Sequence, residues 1–372
     1  MFDINASHYQ FSDGTYDLKS MTFEELQSFF DFLKETPLRA QRTFQALWQT
    51  GVDELSEIVT IAPSTRARLA ECSGIRKLTP LNVRRAQDGT RKYLWQTSRG
   101  ATIESVLIPQ VGQGEAALTR RTLCISSQWG CAMQCGFCLT GDLGLKGQLS
   151  VSEIVNQVLQ VERDLPPDEK VTHLVFMGMG EPLHNLDAVI SAIRILTHTC
   201  GLNLSYRNIT VSTVGLIPQL QKIARTLPVN LAVSLNASTQ EQRLKVMPIS
   251  KKYPLEDLIE ACRTLPLTRG RRVAFEYVMM AGFNDDFSDA QRLLELLKDV
   301  PCKVNLIPYN ENPQRDITRP HDDHVDAFYE YIASRGLQCS VRRTRGIEIT
   351  AACGQLGKAY RDQVRASQVG SR

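Results

Sequence analysis

Three cysteines lie close together in the segment Cys131-Ala-Met-Gln-Cys135-Gly-Phe-Cys138. Gaps of three and then two residues bring three sulfurs onto one short loop, but they cannot supply the four thiolates of a closed metal site. Iron–sulfur clusters are held by thiolates, normally four. Three ligands leave one iron open to a substrate or cofactor. The spacing therefore predicts an open iron–sulfur cluster bound by Cys131, Cys135 and Cys138.

A zinc site is the alternative interpretation, in which a histidine completes the three cysteines. Zinc sites usually have two-residue gaps within a cysteine pair. None of the six histidines lies within thirty residues of the triplet, although folding could bring one close. The spacing favours the cluster, and the zinc site stays open as an alternative.

A second candidate site follows the apolar run at 172–177, in the segment Gly178-Met-Gly180-Glu181-Pro182. Two glycines there allow a ligand to approach the backbone, and a carboxylate can accept hydrogen bonds from an ammonium group. A plain turn would have the same pattern. Its place at the end of a predicted strand favours a binding function.

Three further residues have an ordinary structural explanation when each is considered alone. Cys353 would be a small buried hydrophobic residue, the commoner fate of a free cysteine. Cys124 falls within the apolar run 123–127, which is typical of a core strand. Glu104 would be the outward residue of an alternating strand, Thr-Ile-Glu-Ser-Val.

The elements that must position these residues begin with a helical region. Apolar residues at helical spacing predict a helix that Thr22 caps with Glu25 in a capping box. A second helix begins at Pro37, and residues 53–72 are helical again. Asp88-Gly89 predicts a hairpin turn. Residues 91–109 alternate like strands, and residues 110–120 are typical of a loop.

From residue 121 onward, short apolar runs alternate with amphipathic stretches. The predicted strands are 123–127, 172–177, 208–213, 230–235, 272–279, 303–309 and a last one at 339–344. The predicted helices are 151–163, 186–197, 217–226, 255–265, 286–299 and 324–335. Alternation of this kind predicts parallel βα units with right-handed crossovers. Six units are too few for a closed eight-stranded barrel, so we expect a partial barrel with its site at the carboxyl ends of the strands.

The composition is that of a soluble globular protein. The chain has 372 residues, 42% hydrophobic and 22% charged. No run approaches the ~20 apolar residues of a membrane helix, and the amino terminus lacks the pattern of a signal peptide, so we expect a cytoplasmic protein without a membrane span. Basic residues concentrate at 61–100 and 335–372, which is typical of a polyanion partner and equally of a solvated surface.

Taken together, the motifs resemble the RlmN/Cfr family of RNA methylases in the radical S-adenosylmethionine superfamily. The matching segments are Cys131-x3-Cys135-x-Phe137-Cys138, Leu123-Cys124-Ile-Ser-Ser-Gln, Thr140-Gly141, Gly178-Met-Gly-Glu-Pro182, Val211-Ser212-Thr213, Met247-Pro248-Ile249, Val304-Asn305-Leu306-Ile307-Pro308 and Ala351-Ala-Cys-Gly-Gln-Leu356. They span about residues 22–357, nearly the whole chain.

The resemblance implies an α/β fold, a partial (βα)6 radical-SAM barrel with a small N-terminal helical domain. We predict a helical RNA-binding accessory domain at 1–80 and a β-hairpin and linker carrying Glu104 at 81–120. The partial barrel is predicted at 121–357 and a basic C-terminal tail at 358–372.

The resemblance also implies the cofactors and the site residues. The cofactors are a [4Fe-4S] cluster, on Cys131, Cys135 and Cys138, and two molecules of S-adenosylmethionine per turnover. The residues expected to contact S-adenosylmethionine are Gly180, Glu181, Ser212, Ser234, Leu235, Asn236 and Asn310. Cys353 would carry the methyl group, Cys124 would release the product through a transient disulfide with Cys353, and Glu104 would be the general base.

The implied substrate is an adenosine of 23S rRNA and possibly of tRNA, with an electron donor such as flavodoxin and a monomeric enzyme. Pro182, the run Arg343-x-Arg345-Gly346 and the doubled alanine before Cys353 favour methylation at C2 of adenine, as in the RlmN branch. Cys124-Ile-Ser-Ser-Gln and the segment 141–146 favour C8, as in the Cfr branch.

The chain departs from the usual family pattern at Asn236, where a histidine is usual, at Leu139 and at Lys146–Leu149. Two other classes of function stay open. One is an RNA-binding protein with a purely structural cluster, and the other is a radical enzyme acting on a small molecule or peptide.

Overall fold

The computed structural model describes residues 10–11, 13–110, 120–268, 270–312 and 314–357. The predicted loop at 110–120 lies mostly outside the described residues, and the predicted tail at 358–372 lies wholly outside them.

The amino-terminal region is helical, as predicted. Its helices are α1 (Phe23–Phe32), α2 (Pro37–Gln45) and α3 (Pro63–Cys72), and two short parallel strands, β1 (Tyr16–Asp17) and β2 (Ser73–Gly74), bring its two ends together. The capping box is confirmed: the Glu25 backbone N–H donates to the Thr22 hydroxyl, and the Glu25 carboxylate accepts from the Thr22 backbone N–H. The prediction of a helix over 53–72 is wrong in its first half, because Pro63 is suited to the first position of a helix and α3 begins there.

The predicted hairpin at Asp88-Gly89 joins two strands of a much larger sheet. Its strands in chain order are β3 (Thr79–Arg85), β4 (Arg91–Gln96), β5 (Thr102–Gln110), β6 (Arg120–Cys124), β9 (His173–Phe176), β10 (Ile209–Thr213), β11 (Asn230–Ser234), β12 (Val273–Met279), β13 (Cys302–Pro308) and β14 (Cys339–Val341). A separate antiparallel pair is formed by β7 (Gln128–Gly130) and β8 (Leu145–Gln148).

The order of hydrogen-bonded neighbours is β14-β13-β12-β11-β10-β9-β6-β5-β4-β3. Strands from β6 through β14 are parallel, while β5, β4 and β3 continue the sheet in antiparallel fashion. The α/β fold with parallel βα units is thus confirmed. The segment predicted as a linker is an integral three-stranded extension of the sheet, because β5 pairs with β6 along five residues.

Helices follow most of the parallel strands. They are α4 (Leu139–Asp142), α5 (Val151–Asp164), α6 (Leu186–Thr197), α7 (Ile217–Thr226), α8 (Gln240–Val246), α9 (Leu255–Arg263), α10 (Phe287–Leu297) and α11 (Asp322–Ala333). Their apolar faces join the strands in one buried core. Because parallel strands all end at the same edge, residues that follow β6, β9, β10, β11 and β13 converge there. Within the described part of the chain, no helix is both long and apolar enough to span a membrane.

Candidate active site

One open cavity lies at the carboxyl ends of the parallel strands. Most of the residues predicted as functional line it. They are Cys131, Cys135, Cys138, Gly180, Glu181, Ser212, Ser234, Asn236, Asn310 and Cys353. The fold therefore brings together side chains that are spread over more than two hundred positions of the sequence. Three predicted residues, Glu104, Cys124 and Leu235, do not line the cavity.

The three clustered cysteines lie on the loop between β7 and α4. Gly130 precedes the loop with φ +76°, and a Cβ there would come within 1.9 Å of the Gly144 carbonyl oxygen, so no other residue fits this entry. The Cys131 N–H donates to the same carbonyl oxygen at 3.0 Å. Cys138 occupies the N-cap position of α4, and its backbone N–H donates to the Cys135 carbonyl oxygen at 3.0 Å. The loop is thus held at both of its ends.

The chemistry of the three thiols fits a metal cluster. Burial raises the pKa of Cys131 to about 12 and that of Cys135 well above its usual range, and burial also raises the pKa of Cys138. Buried thiols of this kind become thiolates only when a metal supplies positive charge. The described residues contain no group of three or more His, Cys, Asp or Glu side chains that could hold one metal ion in common. Ligands of a [4Fe-4S] cluster bind different iron atoms, so this spacing fits a cluster better than zinc. No histidine is among the described residues that line the cavity.

The second predicted motif forms the cavity wall after β9. Gly180 has φ +98°, and a Cβ at this position would lie 2.4 Å from the Gln128 Cβ, so glycine is required. Glu181 is buried and accepts hydrogen bonds from the backbone N–H groups of Val214 at 2.9 Å and Leu183 at 3.1 Å. Burial raises the pKa of Glu181 to about 7, although these hydrogen bonds oppose the shift. A cation in the cavity would pair with this carboxylate.

Residues at the ends of β10 and β11 line the next part of the cavity wall. Ser212 and Ser234 contribute to the lining, whereas the side chain of Leu235 is fully buried in the core. Asn236 has φ +58°, a left-handed conformation that asparagine tolerates well. Its Oδ1 accepts from the Val278 N–H at 2.8 Å, so the amide ties the end of β11 to β12.

Cys353 lies on the Cys353 loop, residues 350–357, which returns to the cavity after the last strand. The Cys353 carbonyl oxygen accepts from Asn310 Nδ2 at 3.1 Å, and the Gly354 carbonyl oxygen accepts from the Leu139 N–H at 2.8 Å. Cys353 is exposed and lines the cavity, whereas Cys131 and Cys135 are buried and Cys138 is partly buried. A fourth sulfur is therefore next to the cluster loop and accessible to a ligand.

Cys124, the last residue of β6, lies behind the cavity wall and close enough to Cys353 for their charges to interact. Burial, and then the charge of Cys353, raise the pKa of the Cys124 thiol to about 12, while the Arg342 guanidinium acts in the opposite direction. The same two thiols and Glu276 raise the pKa of Arg342 despite its burial. The two sulfurs and the guanidinium thus lie near enough to one another to interact electrostatically.

Comparison with known proteins agrees with this geometry. Residues 125–297 match the family model of the Radical SAM superfamily, and residues 16–75 match that of the ribosomal RNA large subunit methyltransferase N-terminal domain. The chain is 45% identical to the dual-specificity RNA methyltransferase RlmN of Geobacter sulfurreducens, over 96% of this chain and 96% of that protein. It is 47% identical to the RlmN of Pelobacter propionicus, over 91% and 95% of the two chains.

The chain belongs to the RlmN family. The resemblance that the sequence motifs indicated is confirmed, and so are the superfamily's cofactors, a [4Fe-4S] cluster and S-adenosylmethionine. A solved radical SAM methyltransferase from Sphaerobacter thermophilus superposes with a TM-score of 0.84 and 37% identity, covering 92% of this chain and 99% of that one.

Glu104, which the RlmN resemblance predicts as a base, is not part of the cavity lining. It is almost fully buried on β5, where its Oε1 lies 3.0 Å from the Lys92 Nζ. Its Oε2 accepts from the Gly357 N–H at 2.7 Å. The carboxylate thus contacts the last residue of the Cys353 loop. Its side chain points inward, although the alternation of β5 suggested an outward position.

Sequence reasoning missed three charged residues of the site: Arg342, Glu276 and Lys92. Arg342 was counted only as part of a basic run, but its Nη1 lies 3.6 Å from the Glu276 Oε2 inside the cavity. Asn305 Nδ2 also donates to Glu276, at 2.8 Å. Buried parallel strands are normally apolar, so a charged residue such as Glu276 within a predicted strand could have indicated a functional role.

The basic residues at 61–100 are less available to a polyanion than the sequence suggested. Carboxylates within ion-pair distance balance most of them, namely Arg68, Arg76, Lys77, Arg85, Arg91, Lys92 and Arg99. Arg84 and Arg345 are exposed and have no carboxylate that close among the described residues. The tertiary structure therefore narrows the candidates for phosphate contact.

Proposed function

We propose that this chain is a radical S-adenosylmethionine methyltransferase that methylates C2 of adenosine in 23S rRNA and in tRNA. One observation carries the proposal: Cys353 is exposed in the same cavity as Cys131, Cys135 and Cys138, with Cys124 behind it. A structural cluster would not need a fourth accessible sulfur and a fifth beside it. The curated relatives carry the name dual-specificity RNA methyltransferase, which agrees with an RNA substrate of two kinds.

In this proposal Cys131, Cys135 and Cys138 hold the [4Fe-4S] cluster. When bound, the cluster supplies the electron that cleaves S-adenosylmethionine to a 5′-deoxyadenosyl radical. Glu181 pairs with the ammonium group of S-adenosylmethionine, while Gly180, Ser212, Ser234, Asn236 and Asn310 line its binding site. Leu235 supports this wall from the core.

Cys353 is the methyl carrier in the proposed reaction. Its thiolate attacks the methyl carbon of one S-adenosylmethionine, so that an S-methyl group forms on Cys353 and S-adenosylhomocysteine leaves. The S-methyl carbon would lose one hydrogen atom to the deoxyadenosyl radical and bond to the adenine, after which one electron would return to the oxidised cluster and the ring proton would go to Glu104. The Cys124 thiolate then attacks the Cys353 sulfur and breaks its bond to the carbon, which takes up a proton to become the methyl group of the released RNA. The electron donor would reduce the resulting Cys124–Cys353 disulfide by two electrons before the next turnover.

A methyl group is ordinarily transferred from a sulfonium to a nucleophile. C2 of adenine is an electrophilic carbon, so it cannot accept a methyl group in this way. The adenine must leave its stack to enter the cavity.

The proposed phosphate contacts are Arg84 and Arg345, which are exposed and have no carboxylate within ion-pair distance among the described residues. We further propose that the protein is a cytoplasmic monomer. Its proposed partners are the RNA and an electron donor such as flavodoxin.

Mass spectrometry of nucleosides tests the proposal. rRNA and tRNA are isolated separately from cells with the gene, without it, and with a Cys353→Ala copy. We expect 2-methyladenosine in both RNAs only when the unaltered gene is present. Loss of 8-methyladenosine instead would assign the chain to C8 methylation, and an unchanged nucleoside profile in cells lacking any related enzyme would refute an RNA substrate.

A binding measurement separates an RNA enzyme from an enzyme that acts on a small molecule or peptide. RNA binding through phosphates weakens steeply as salt rises, because counterions compete for the basic side chains. We expect Arg84→Ala and Arg345→Ala to lower RNA affinity and to reduce this salt dependence. A salt-independent affinity would contradict the assignment of an RNA substrate.

A further inference from the structure

The ion pair between Lys92 and Glu104 is the strongest feature that the proposed reaction leaves unexplained. The two side chains lie on adjacent strands, β4 and β5, and are 6% and 1% exposed. Removing two charges from water is costly unless additional hydrogen bonds satisfy them. Their additional partners therefore indicate what the pair does.

Both partners of the pair contact the Cys353 loop, at opposite ends. The Lys92 Nζ donates to the Thr350 carbonyl oxygen at 3.1 Å and lies 3.4 Å from the Thr350 hydroxyl. The Glu104 Oε2 accepts from the Gly357 N–H at 2.7 Å. One ion pair thus holds the first and the last residue of the loop, and Cys353 lies midway between them.

The loop needs such support because its own conformation is unfavourable. Thr350 has φ +53°, a left-handed conformation that is rare for a β-branched residue. Surrounding contacts must stabilise such a residue if it is to persist. On the other side, the loop is attached to the cluster loop and α4 by the Leu139 N–H and by the Thr140 hydroxyl, which donates to the Leu356 carbonyl oxygen at 2.8 Å.

We propose that Lys92 is a positioning residue, which together with Glu104 holds the Cys353 loop so that the Cys353 sulfur lies in the cavity beside the cluster loop. This inference deepens the proposed function and rests on it for the role of Cys353. The clamped carboxylate is not part of the cavity lining, so Glu104 serves the loop during the first methyl transfer. Its action as a base requires that the loop be displaced first.

Hydrogen exchange tests the clamp without reference to activity. Exchange is followed by mass spectrometry on the holoenzyme, with an assembled cluster, for peptides that cover 346–357 and, as an internal reference, α6. Lys92→Met removes the ammonium group and keeps most of the apolar stem. We expect exchange in 346–357 to accelerate about tenfold or more, the change expected from losing charged hydrogen bonds. Exchange in α6 should not change.

Two matched variants make this measurement specific. Lys92→Arg retains the charge and should restore part of the protection. Lys19→Met removes another buried lysine, whose Nζ lies 3.2 Å from the Asp53 carboxylate in the helical region, and should leave exchange in 346–357 unchanged. Unaltered exchange in Lys92→Met, or equal acceleration in all barrel peptides, would overturn the clamp.

The first methyl transfer tests the positioning role directly. The holoenzyme is incubated with S-adenosylmethionine in the absence of RNA, and methylation of the peptide that contains Cys353 is followed by mass spectrometry. We expect Lys92→Met and Glu104→Ala to slow this step about tenfold or more, because the loop is released. Lys19→Met, which removes a buried lysine of the helical region, should stay within about threefold of the unaltered enzyme, because Lys19 pairs with Asp53 and not with the Cys353 loop.

The outcomes distinguish the clamp from the proposed function. Faster exchange in Lys92→Met with an unchanged rate of Cys353 methylation would overturn the positioning role. A Lys19→Met enzyme as slow as Lys92→Met would overturn the argument that the contacts of Lys92 with the loop are what matter. If the unaltered enzyme never methylated Cys353, the proposed function would fail, and an exchange difference would still support the clamp.

Discussion

Glu181 offers a sharp test of the cavity's electrostatics. The carboxylate is buried, and it accepts hydrogen bonds from the backbone N–H groups of Val214 and Leu183 and from the Thr213 side chain. Hydrogen bonds to charged groups contribute about 1.5–3 kcal/mol, and each 1.4 kcal/mol corresponds to about a tenfold change in affinity. We therefore expect Glu181→Gln to weaken S-adenosylmethionine binding by about 10- to 100-fold. The measurement is calorimetric titration of the holoenzyme.

The pH dependence follows from the raised pKa of about 7 that burial gives Glu181. Below this pH the carboxyl is protonated and cannot pair with an ammonium group, so affinity should rise by up to about tenfold per unit toward pH 7 and then level off. Glu181→Gln has no group that titrates there, and its affinity should not change over the same range.

Glu276→Gln is the matched control, because Glu276 is the other described carboxylate in the cavity lining and Arg342 and Asn305 already contact it. We expect its affinity for S-adenosylmethionine to change by less than about threefold. Unchanged binding by Glu181→Gln together with a large loss in Glu276→Gln would refute the assignment of the ammonium site to Glu181.

Four further predictions concern the sulfurs and the amino-terminal region. Cys353→Ala should abolish methyl transfer, whereas Cys124→Ala should accumulate a covalent protein–RNA adduct, visible as a shifted band in denaturing gels. Release of that adduct in the unaltered enzyme should accelerate by about tenfold per pH unit between about pH 7 and pH 9. The reason is that only the thiolate attacks and burial raises the pKa of Cys124 to about 12, so its thiolate fraction still increases over this range. Removal of iron by a chelator should abolish S-adenosylmethionine cleavage and the visible absorbance of the cluster. Methylation of Cys353 should also fail only if the cluster binds the S-adenosylmethionine molecule that donates the methyl group. Asp17→Ala should lower the free energy of unfolding in urea by about 3–5 kcal/mol, because Asp17 accepts from the Ser20 and Ser152 hydroxyls, both at 2.7 Å, and joins the helical region to α5.

Each of these predictions has a contradicting result. An active Cys353→Ala enzyme would refute the methyl carrier, and a Cys124→Ala enzyme without adduct would refute the resolving thiol. A pH-independent release rate would show that another step limits product release. A loss of less than about 1 kcal/mol in Asp17→Ala would contradict a buried carboxylate that holds two regions together.

The local sequence pattern was sufficient to predict much of the fold and part of the site of this protein. The spacing of Cys131, Cys135 and Cys138 alone indicated a cluster with an open iron, because three ligands on one short loop need no information from distant residues. Helical and strand periodicity predicted nearly every element of the barrel, since each amphipathic helix and apolar strand encodes which face it buries. The capping box at Thr22 and the hairpin at Asp88-Gly89 are local in the same sense.

Only the tertiary structure decided which distant residues meet. The closeness of Cys124 to Cys353 depends on β6 and the Cys353 loop reaching the same edge of the sheet. Local alternation suggested that Glu104 points outward, yet packing directs it inward to Lys92 and Gly357. The charges at 61–100 looked available because their carboxylate partners are mostly distant in sequence. Such pairings are long-range contacts that burial imposes, and a local pattern contains no information about them.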